Sequence, residues 1–258
     1  RNTGIELSLN ADAIRTKDFD WNISLNLAHN ENEVTRLSND VFTMDKILLG
    51  DVFIRGGSSS GTHVLEEGRP IGQFYGLVCN GIDENGRYIL VDKDGDGEIS
   101  DPADYDYIGS AQPKLTYGIT NSFRYKNFDL SFFLRGTIGN DILNATRMAY
   151  AQSGFLPGTN ALDDPLTYTL SETPRFSNYY LEKGSFMRLD NLTLGYKIKA
   201  LNGIRVYFTA QNLFVITKYK GLDPEVPMDS GDGLTPGVEP REFYPKARTF
   251  SVGLNLNF

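Results

Sequence analysis

The chain has 258 residues, 40% of them hydrophobic, and a formal net charge of -8. This acidic balance, without any cluster of Lys or Arg, excludes a nucleic-acid-binding role, because contacts to phosphates need a basic face. No apolar run approaches the roughly 18 residues of a spanning helix, so any membrane crossing by this chain has to use strands.

The first elements predicted are two strands within residues 7–13 and 19–27. Apolar and polar side chains alternate in both, and a short polar turn from Arg15 to Asp18 separates them. A period of two places every second side chain on the same face of a strand. The pattern therefore predicts a β-hairpin with one apolar face.

An acidic segment, DKDGDGEIS from Asp92, lies in the long stretch that follows. It matches the start of an EF-hand-type calcium loop, with carboxylates at positions 1, 3 and 5, Gly97 at position 6 and the Glu98 carbonyl at position 7. Position 12, normally a bidentate Glu, is Ala103, so Asp101 or Asp104 would have to complete the site. The candidate metal ligands are Asp92, Asp94, Asp96, Glu98, Asp101 and Asp104.

A structural calcium ion, holding a long loop in place, is the interpretation that this spacing favours. Magnesium fits less well, since it tolerates irregular oxygen sites poorly. The alternative is a solvated acidic turn in which glycines only permit the bends.

Two further hairpins are predicted within residues 115–134 and 192–214. The first turns at Lys126 and Asn127, and the second turns between Lys199 and Gly203. In the first, the polar face carries Arg124, Asp129 and Arg135, which we expect to shape a polar interior or to pair with a part of the protein outside this chain.

Residues 250–258 form the seventh predicted strand, which alternates strictly and ends on an aromatic residue. An apolar face opposite a face of Ser, Gly and Asn suits a strand between lipid and water. Aromatic side chains near strand ends on the apolar face are interpreted as an interfacial girdle. They are Phe19, Trp21, Tyr125, Phe128, Tyr196 and Phe258.

The connections between strands alternate between tight turns and long segments of about 80, 47 and 32 residues, as in transmembrane barrels. We therefore predict an all-β fold, an antiparallel transmembrane β-barrel segment with long loops outside the cell. Seven strands cannot close the usual even-stranded bacterial barrel, so further strands are expected before Arg1. Aromatic residues of the long loops are expected to pack the loops together or to contact a lid protein. They are Phe155, Tyr168, Phe176, Tyr179, Tyr180, Tyr219, Phe243 and Tyr244.

No catalytic constellation is predicted. The Asp and Glu residues lie mostly in loops where solvation explains them, and no nucleophile-elbow motif accompanies His29 or His63. The single Cys79 cannot form an intrachain disulfide, and two histidines do not make a standard zinc site.

Six segments span nearly the whole chain: GRPIGQFYGLVCNGI from Gly68, DKDGDGEIS from Asp92, IGSAQPKLTYGITNSFRYKNFDLSFFLRGTIGN from Ile108, SFMRLDNLTLGYKI from Ser185, RVYFTAQNLFVITKYKGLDPE from Arg205 and YPKARTFSVGLNLNF from Tyr244. In this order, they resemble the carboxyl-terminal part of the SusC/RagA family of TonB-dependent outer-membrane transporters of Bacteroidetes.

The resemblance implies a barrel of about 22 strands, with an amino-terminal plug, energy supplied through TonB and a SusD-like surface lipoprotein as lid. Residues 1–258 would form the carboxyl-terminal portion of that barrel, without the plug and earlier strands. The resemblance also implies that Ser251, Gly253, Leu256 and Phe258 form a signal read by the barrel-assembly machinery, although an ordinary barrel strand would show the same period.

Two functions follow as hypotheses. The first is part of an outer-membrane importer of nutrient, either oligosaccharide or peptide, in contact with lipid. The second is a soluble, calcium-stabilised β-sheet module that binds carbohydrate. They differ in what covers the apolar strand face, which is lipid in the first and a second sheet in the second.

Overall fold

The computed structural model describes residues 1–57, 59, 61–201, 204–226, 233–241 and 244–256. The strands in chain order are β1 Asn2–Arg15, β2 Phe19–Asn32, β3 Lys46–Leu49, β4 His63–Glu66, β5 Gln73–Leu77, β6 Cys79–Ile82, β7 Tyr88–Leu90, β8 Tyr105–Ser110, β9 Leu115–Tyr125, β10 Phe128–Ile138, β11 Asp141–Leu143, β12 Leu181–Lys183, β13 Phe186–Ile198, β14 Ile204–Thr217 and β15 Thr249–Asn255. The helical elements are α1 Ala145–Tyr150, α2 Pro165–Thr169 and the 3-10 turns Asn178–Tyr180 and Lys199–Leu201.

The seven predicted strands form one antiparallel sheet in the order β1-β2-β9-β10-β13-β14-β15. This confirms the predicted all-β class. The three predicted hairpins are joined edge to edge, because β9 pairs with β2 and β13 pairs with β10 across long intervening segments. Lys126, in the two-residue turn between β9 and β10, has φ of 53°, the left-handed conformation that tight hairpin turns require.

One face of this sheet is apolar and exposed. Rings on neighbouring strands stack there, with centroids of Trp21 and Phe123 5.7 Å apart and those of Phe123 and Phe132 6.0 Å apart. The ring centroids of Phe128 and Tyr196 lie 4.5 Å apart, near the short turns. Phe258, which was predicted to belong to the interfacial girdle, lies outside the described residues. Exposed aliphatic and aromatic side chains continue across the face, including Leu7, Leu9, Leu194, Phe208, Phe250, Val252 and Leu254.

Three long segments separate the hairpins, residues 33–114, 139–185 and 218–248. Their described residues fold together, and we call them the cap. Sequence reasoning predicted loops here, whereas the structure contains a four-stranded sheet of β3, β4, β5 and β8 and two smaller sheets. Parallel bridges join segments, as at Leu143 and Val238. The strands are three to six residues long, too short for a period of two to be recognised in the sequence.

The larger of two apolar clusters found among the described residues forms the core of the cap; the smaller one joins Ile142 to Tyr219 and Val226. This larger cluster contains Val52 and Phe74 from the first segment and Leu143 and Phe176 from the second. Val238 of the third segment packs against it. Because each segment buries its apolar side chains against the others, the cap is stabilised as one unit.

The short helices begin at side-chain caps. Asn144 accepts a hydrogen bond from the backbone N–H of Arg147 at the start of α1, and Asp164 accepts from Leu166 at the start of α2, where Pro165 occupies the first turn. These hydrogen bonds at the helix N-termini fix where the second segment enters the core.

His63 begins β4 and is fully buried. Its Nδ1 lies 2.9 Å from the Thr62 hydroxyl and its Nε2 lies 2.9 Å from the carbonyl oxygen of Pro236. His63 thus links the first and third segments of the cap. Among the described residues, no helix is long and apolar enough to cross a membrane.

Candidate functional site

The face of the large sheet opposite the apolar one is lined by cross-strand ion pairs. Arg124 Nε donates to Asp20 Oδ2 at 2.8 Å, between β9 and β2. Arg205 Nε donates to Asp129 Oδ1 at 2.9 Å, although β13 lies between their strands. Gly195 occupies β13 at that point, and a Cβ there would collide with both partners. The charges expected to line a polar interior thus find partners inside this chain.

Arg135, the third charged residue predicted on this face, reaches the third long segment. Its Nη1 donates to Glu225 Oε1 at 2.6 Å and its Nη2 donates to Asp190 Oδ1 at 3.2 Å. Lys246 also donates to Glu225. Burial acts to raise the pKa of Glu225, but the hydrogen bonds from Arg135 and Lys246 outweigh it and hold that pKa below its usual value.

Arg188, which sequence reasoning missed, anchors the same region. It is 1% exposed, and its Nη2 donates to Asp223 Oδ1 at 2.5 Å. Its Nη1 donates to the side chain of Asn212, which has φ of 51° at a bulge in β14. Arg188 lies before the strand pattern predicted from residue 192, and the bulge that brings Asn212 to it was not readable in the sequence.

A cavity of about 400 Å³ lies between this polar face and the third segment. Arg135, Thr116 and Thr137 contribute from the strands, while Glu225 and Val226 contribute from the segment. Apolar side chains such as Phe186 and Val226 make up most of the lining, and the charged and hydroxyl groups are set among them.

In the acidic loop, Asp92, Asp94 and Asp96 come together. One carboxylate oxygen of each lies within 4.8 Å of the others, and all three residues are exposed. Asp92 accepts hydrogen bonds from the backbone N–H of Gly95 at 2.6 Å and of Gly97 at 2.9 Å. Both glycines have φ near the left-handed region, 81° and 89°, which lets the loop curl around its carboxylates.

The other candidate ligands have different positions. Asp101 accepts from Arg175 Nη2 at 2.6 Å. Asp104 is 1% exposed, and its oxygens accept from the backbone N–H of Lys93 at 2.5 Å and of Ser100 at 2.7 Å. Glu98 donates its own N–H to Asp96 and is not part of the cluster.

The hydrogen bonds from Ser100 and Lys93 hold the pKa of Asp104 below its usual value. Asp104 therefore closes the loop as a carboxylate that accepts backbone hydrogen bonds. Among the described residues, the side-chain carboxylates of the motif that converge are therefore those of Asp92, Asp94 and Asp96.

Of the terminal signal, Ser251 and Gly253 lie in β15, opposite Thr209 and Tyr207 of β14. Leu256 follows the strand and is 50% exposed, whereas Phe258 lies outside the described residues. A Cβ at Gly253 would collide with the Tyr207 ring, so a glycine is needed where that ring crosses the last strand.

The loop aromatics divide into two groups. Phe176, Tyr180 and Tyr219 are buried in the cap, which agrees with the expectation of loop packing. Tyr168 and Tyr244 are 73% and 85% exposed. Phe155 is also exposed, at 38%, whereas Tyr179 is half-buried; Phe243 lies outside the described residues.

Comparison with known proteins gives a consistent set of relatives, although no protein-family model matches the chain. The chain is 37% identical over 276 residues to TonB-dependent receptor SusC of Bacteroides thetaiotaomicron, covering 100% of this chain and 26% of that relative. It is 32% identical to TonB-dependent receptor P3 of Formosa agariphila, covering 100% of this chain and 28% of the relative.

Solved structures give the same result. The structure of the RagAB peptide transporter matches with a TM-score of 0.75 and 26% identity, covering 98% of this chain and 29% of that chain. A RagAB peptide importer in a "closed-closed" state matches with a TM-score of 0.74. The chain thus spans between a quarter and a third of the length of the proteins that it matches.

Proposed function

This chain is a SusC/RagA-like segment of a TonB-dependent transporter, and from that premise we propose that it forms part of the barrel wall of an outer-membrane nutrient importer. The imported nutrient is an oligosaccharide or a peptide, and import is energised through TonB. The similarity of the whole chain to SusC and to a peptide transporter supports this proposal.

The two faces of the large sheet carry the proposal. Side chains such as Phe250 and Val252, 58% and 76% exposed, lie on the apolar face, while ion pairs such as Arg205 with Asp129 lie on the other. Lipid against the first face and water against the second is the arrangement of a barrel wall. A soluble carbohydrate-binding module is less well supported, because it would leave this apolar face uncovered in water.

Strands outside this chain complete the ring in this proposal. In the described sheet, β1 pairs with β2 and β15 pairs with β14, so each has a second edge that can accept another strand. The complete barrel would have about 22 strands and a plug. Ser251, Gly253, Leu256 and Phe258 would present the last strand to the barrel-assembly machinery by strand addition.

The cap would lie on the extracellular side, in contact with a SusD-like lipoprotein that closes over it. The long segments and the tight turns lie at opposite ends of the large sheet, as the outer and periplasmic ends of a bacterial barrel do. The match to RagAB transport complexes supports a lid partner of this kind.

The loop from Asp92 to Glu98 would bind one structural calcium ion. Three carboxylates already converge, and Asp104 holds the return of the loop through backbone hydrogen bonds. Calcium prefers such oxygen ligands and accepts irregular geometry, with water completing its coordination.

The test of the transport function uses the full-length protein in the cell that produces it. Deletion of the gene should abolish uptake of one labelled nutrient class, oligosaccharide or peptide, and a protonophore should abolish the same uptake in the parent strain. Membrane fractionation should place the protein in the outer membrane. Unchanged uptake of both classes after deletion, or recovery of the protein in the soluble fraction, would contradict the proposal.

A further inference from the structure

An open pocket of about 450 Å³ lies where the large sheet meets the cap, and we call it the rim pocket. Ile138, at the end of β10, and Ile216, near the end of β14, line it and are 48% and 58% exposed. Lys183 and Lys218 also line it. The strand ends from which the second and third segments leave therefore surround the pocket.

The register of the sheet assigns the rim pocket to the apolar face. Tyr117 lies on the same face as Phe123 by the period of two in β9. It pairs with Gly136, Gly136 pairs with Met187, and Met187 pairs with Ile216, so these residues form one row across four strands. Directly paired residues share a face of the sheet. Ile216 thus belongs to the surface that meets lipid in the proposed function.

The two lysines give the cap side of the rim pocket a positive charge. Lys218 is exposed and follows β14 directly. Lys183 is 75% exposed, and its Nζ donates to Asp141 Oδ1 at 2.7 Å. An ammonium group has further donors that can reach a ligand. Among the described residues that line the pocket there is no carboxylate.

Asp141 does not cancel this charge. Its side chain is 15% exposed, and its Oδ2 accepts from the backbone N–H of Ser110 at 3.2 Å. One mostly buried carboxylate therefore stands against two exposed ammonium groups, Lys183 and Lys218. The charge that remains is positive and attracts an anion from the solvent side.

The position of these groups selects the kind of anion. Exposed lysines at the edge of an apolar membrane-facing surface lie at the level of lipid headgroups, where they attract anionic lipids. Their stems can lie along apolar surface while the ammonium stays in the polar layer. A soluble anion would use the lysines but would leave Ile138 and Ile216 uncovered. An amphipathic anion satisfies both sets of side chains.

We propose that the rim pocket binds the phosphate headgroup of an anionic lipid of the outer leaflet. Lys183 and Lys218 donate to the phosphate oxygens, and Ile138 and Ile216 contact the first methylene groups of an acyl chain. The proposal rests on the proposed function, because it needs lipid against the apolar face. It names a lipid partner of the barrel wall that is separate from the imported nutrient.

A bound lipid of this kind has a structural effect. Lys183 belongs to the second segment of the cap and Lys218 to the third, whereas the two isoleucines belong to the large sheet. The lipid therefore contacts the sheet and two segments at once.

The test measures binding of dioleoylphosphatidic acid to the full-length transporter in detergent by native mass spectrometry. We expect saturable binding that dioleoylphosphatidylcholine, a zwitterionic lipid with the same chains, does not displace. Lys183→Gln and Lys218→Gln should each weaken binding about fivefold. Lys220→Gln, which removes an exposed lysine outside the pocket, is the matched control and should leave binding unchanged. Heat-modifiable migration on gels verifies that each variant is folded.

Inorganic phosphate, added in large excess, distinguishes a lipid from a free anion and should not displace phosphatidic acid. The proposal is overturned if phosphate or the zwitterionic lipid displaces it, or if both lysine variants bind it as the parent does. It is also overturned if Lys218→Gln keeps lipid binding but loses a co-purifying lipoprotein, because the lysine would then serve a protein contact.

Failure of this site can be told apart from failure of the proposed function. A transporter that is found in the outer membrane and imports its nutrient, yet binds no phosphatidic acid, would lack the lipid site while keeping the import function. Recovery of the protein in the soluble fraction would remove both.

Discussion

Arg188 and Asp223 form a buried ion pair that joins a strand of the large sheet to the third segment of the cap. Their side chains are 1% and 5% exposed, and Nη2 lies 2.5 Å from Oδ1. The strand position of Arg188 is fixed by pairing with β10 and β14, so Asp223 is drawn to the sheet. The contact explains how a long segment keeps a defined position over the polar face.

Breaking this pair should release the third segment. In Arg188→Met the Asp223 carboxylate stays buried without its cation, which typically costs about 3–5 kcal/mol. Limited proteolysis of the full-length transporter should show faster cleavage within residues 218–226. The control Arg15→Met removes an exposed partner of Asp12, 79% and 61% exposed, and should leave cleavage unchanged. Equal resistance of both variants would refute this role.

Charge on the apolar face should prevent correct insertion. Phe208→Arg places a guanidinium among Leu194 and Val252, a change that costs about 2–4 kcal/mol near the middle of a bilayer. The amount of folded barrel, measured by heat-modifiable migration on gels, should fall. The adjacent Thr209→Arg points to the polar face and should be tolerated. Similar losses in both variants would argue against lipid on this face.

Gly136 should tolerate no side chain. A Cβ there would collide with the carbonyl oxygen of Phe186 on β13 and would lie 2.6 Å from the Tyr117 hydroxyl. Gly136→Ala should therefore destabilise the β10–β13 pairing by about 1–3 kcal/mol, seen as a lower midpoint in thermal unfolding. Gly154→Ala meets nothing within 4 Å and is the control. An unchanged midpoint for Gly136→Ala would show that the strands adjust freely.

Acid should loosen the acidic loop through Asp104. Since its pKa is lower in the folded protein than in the unfolded chain, its contribution to stability is present above the unfolded value of about 3.9 and is lost as pH falls through the folded value. Amide exchange at Lys93 and Ser100, corrected for intrinsic rates, should rise on acidification. In Asp104→Asn the exchange should already be fast at neutral pH. A parent protein with pH-independent protection would contradict this account.

Calcium should protect the same loop. Addition of calcium after chelation should slow amide exchange between Asp92 and Glu98 in the parent protein, because the ion would hold the three carboxylates together. Asp92→Asn should lose this response, whereas Asp45→Asn, in an exposed part of the cap, should keep it. No change on adding calcium to the parent protein would leave the solvated acidic turn as the better account.

The strands of the large sheet were predictable because each exceeds six residues and keeps a period of two. The partners of their polar side chains were not, since Asp129 meets Arg205 76 residues away and only strand order brings them together. The local sequence indicates which face of the sheet a residue occupies. The ion pair of Asp129 with Arg205, by contrast, depends on the register of the three strands β10, β13 and β14.

In the cap, too, the local sequence indicated some features, whereas others depend on contacts between residues that are distant in the chain. The spacing of Asp92, Asp94 and Asp96 indicated their convergence. The sequence could not show that Asp104 would accept backbone hydrogen bonds, because that depends on how the chain returns. Glu239 gave no signal at all, since it is buried where the third segment meets the second and its backbone N–H donates to the carbonyl of Leu143.

The common core of the cap has a consequence for protein engineering. Val52 and Phe176 come from different segments but belong to one apolar cluster, and Val238 of the third segment packs against it. Grafting a single segment from a relative would leave apolar side chains facing surfaces shaped for another sequence. The smallest part that can be exchanged between such transporters without exposing apolar side chains is therefore all three segments together.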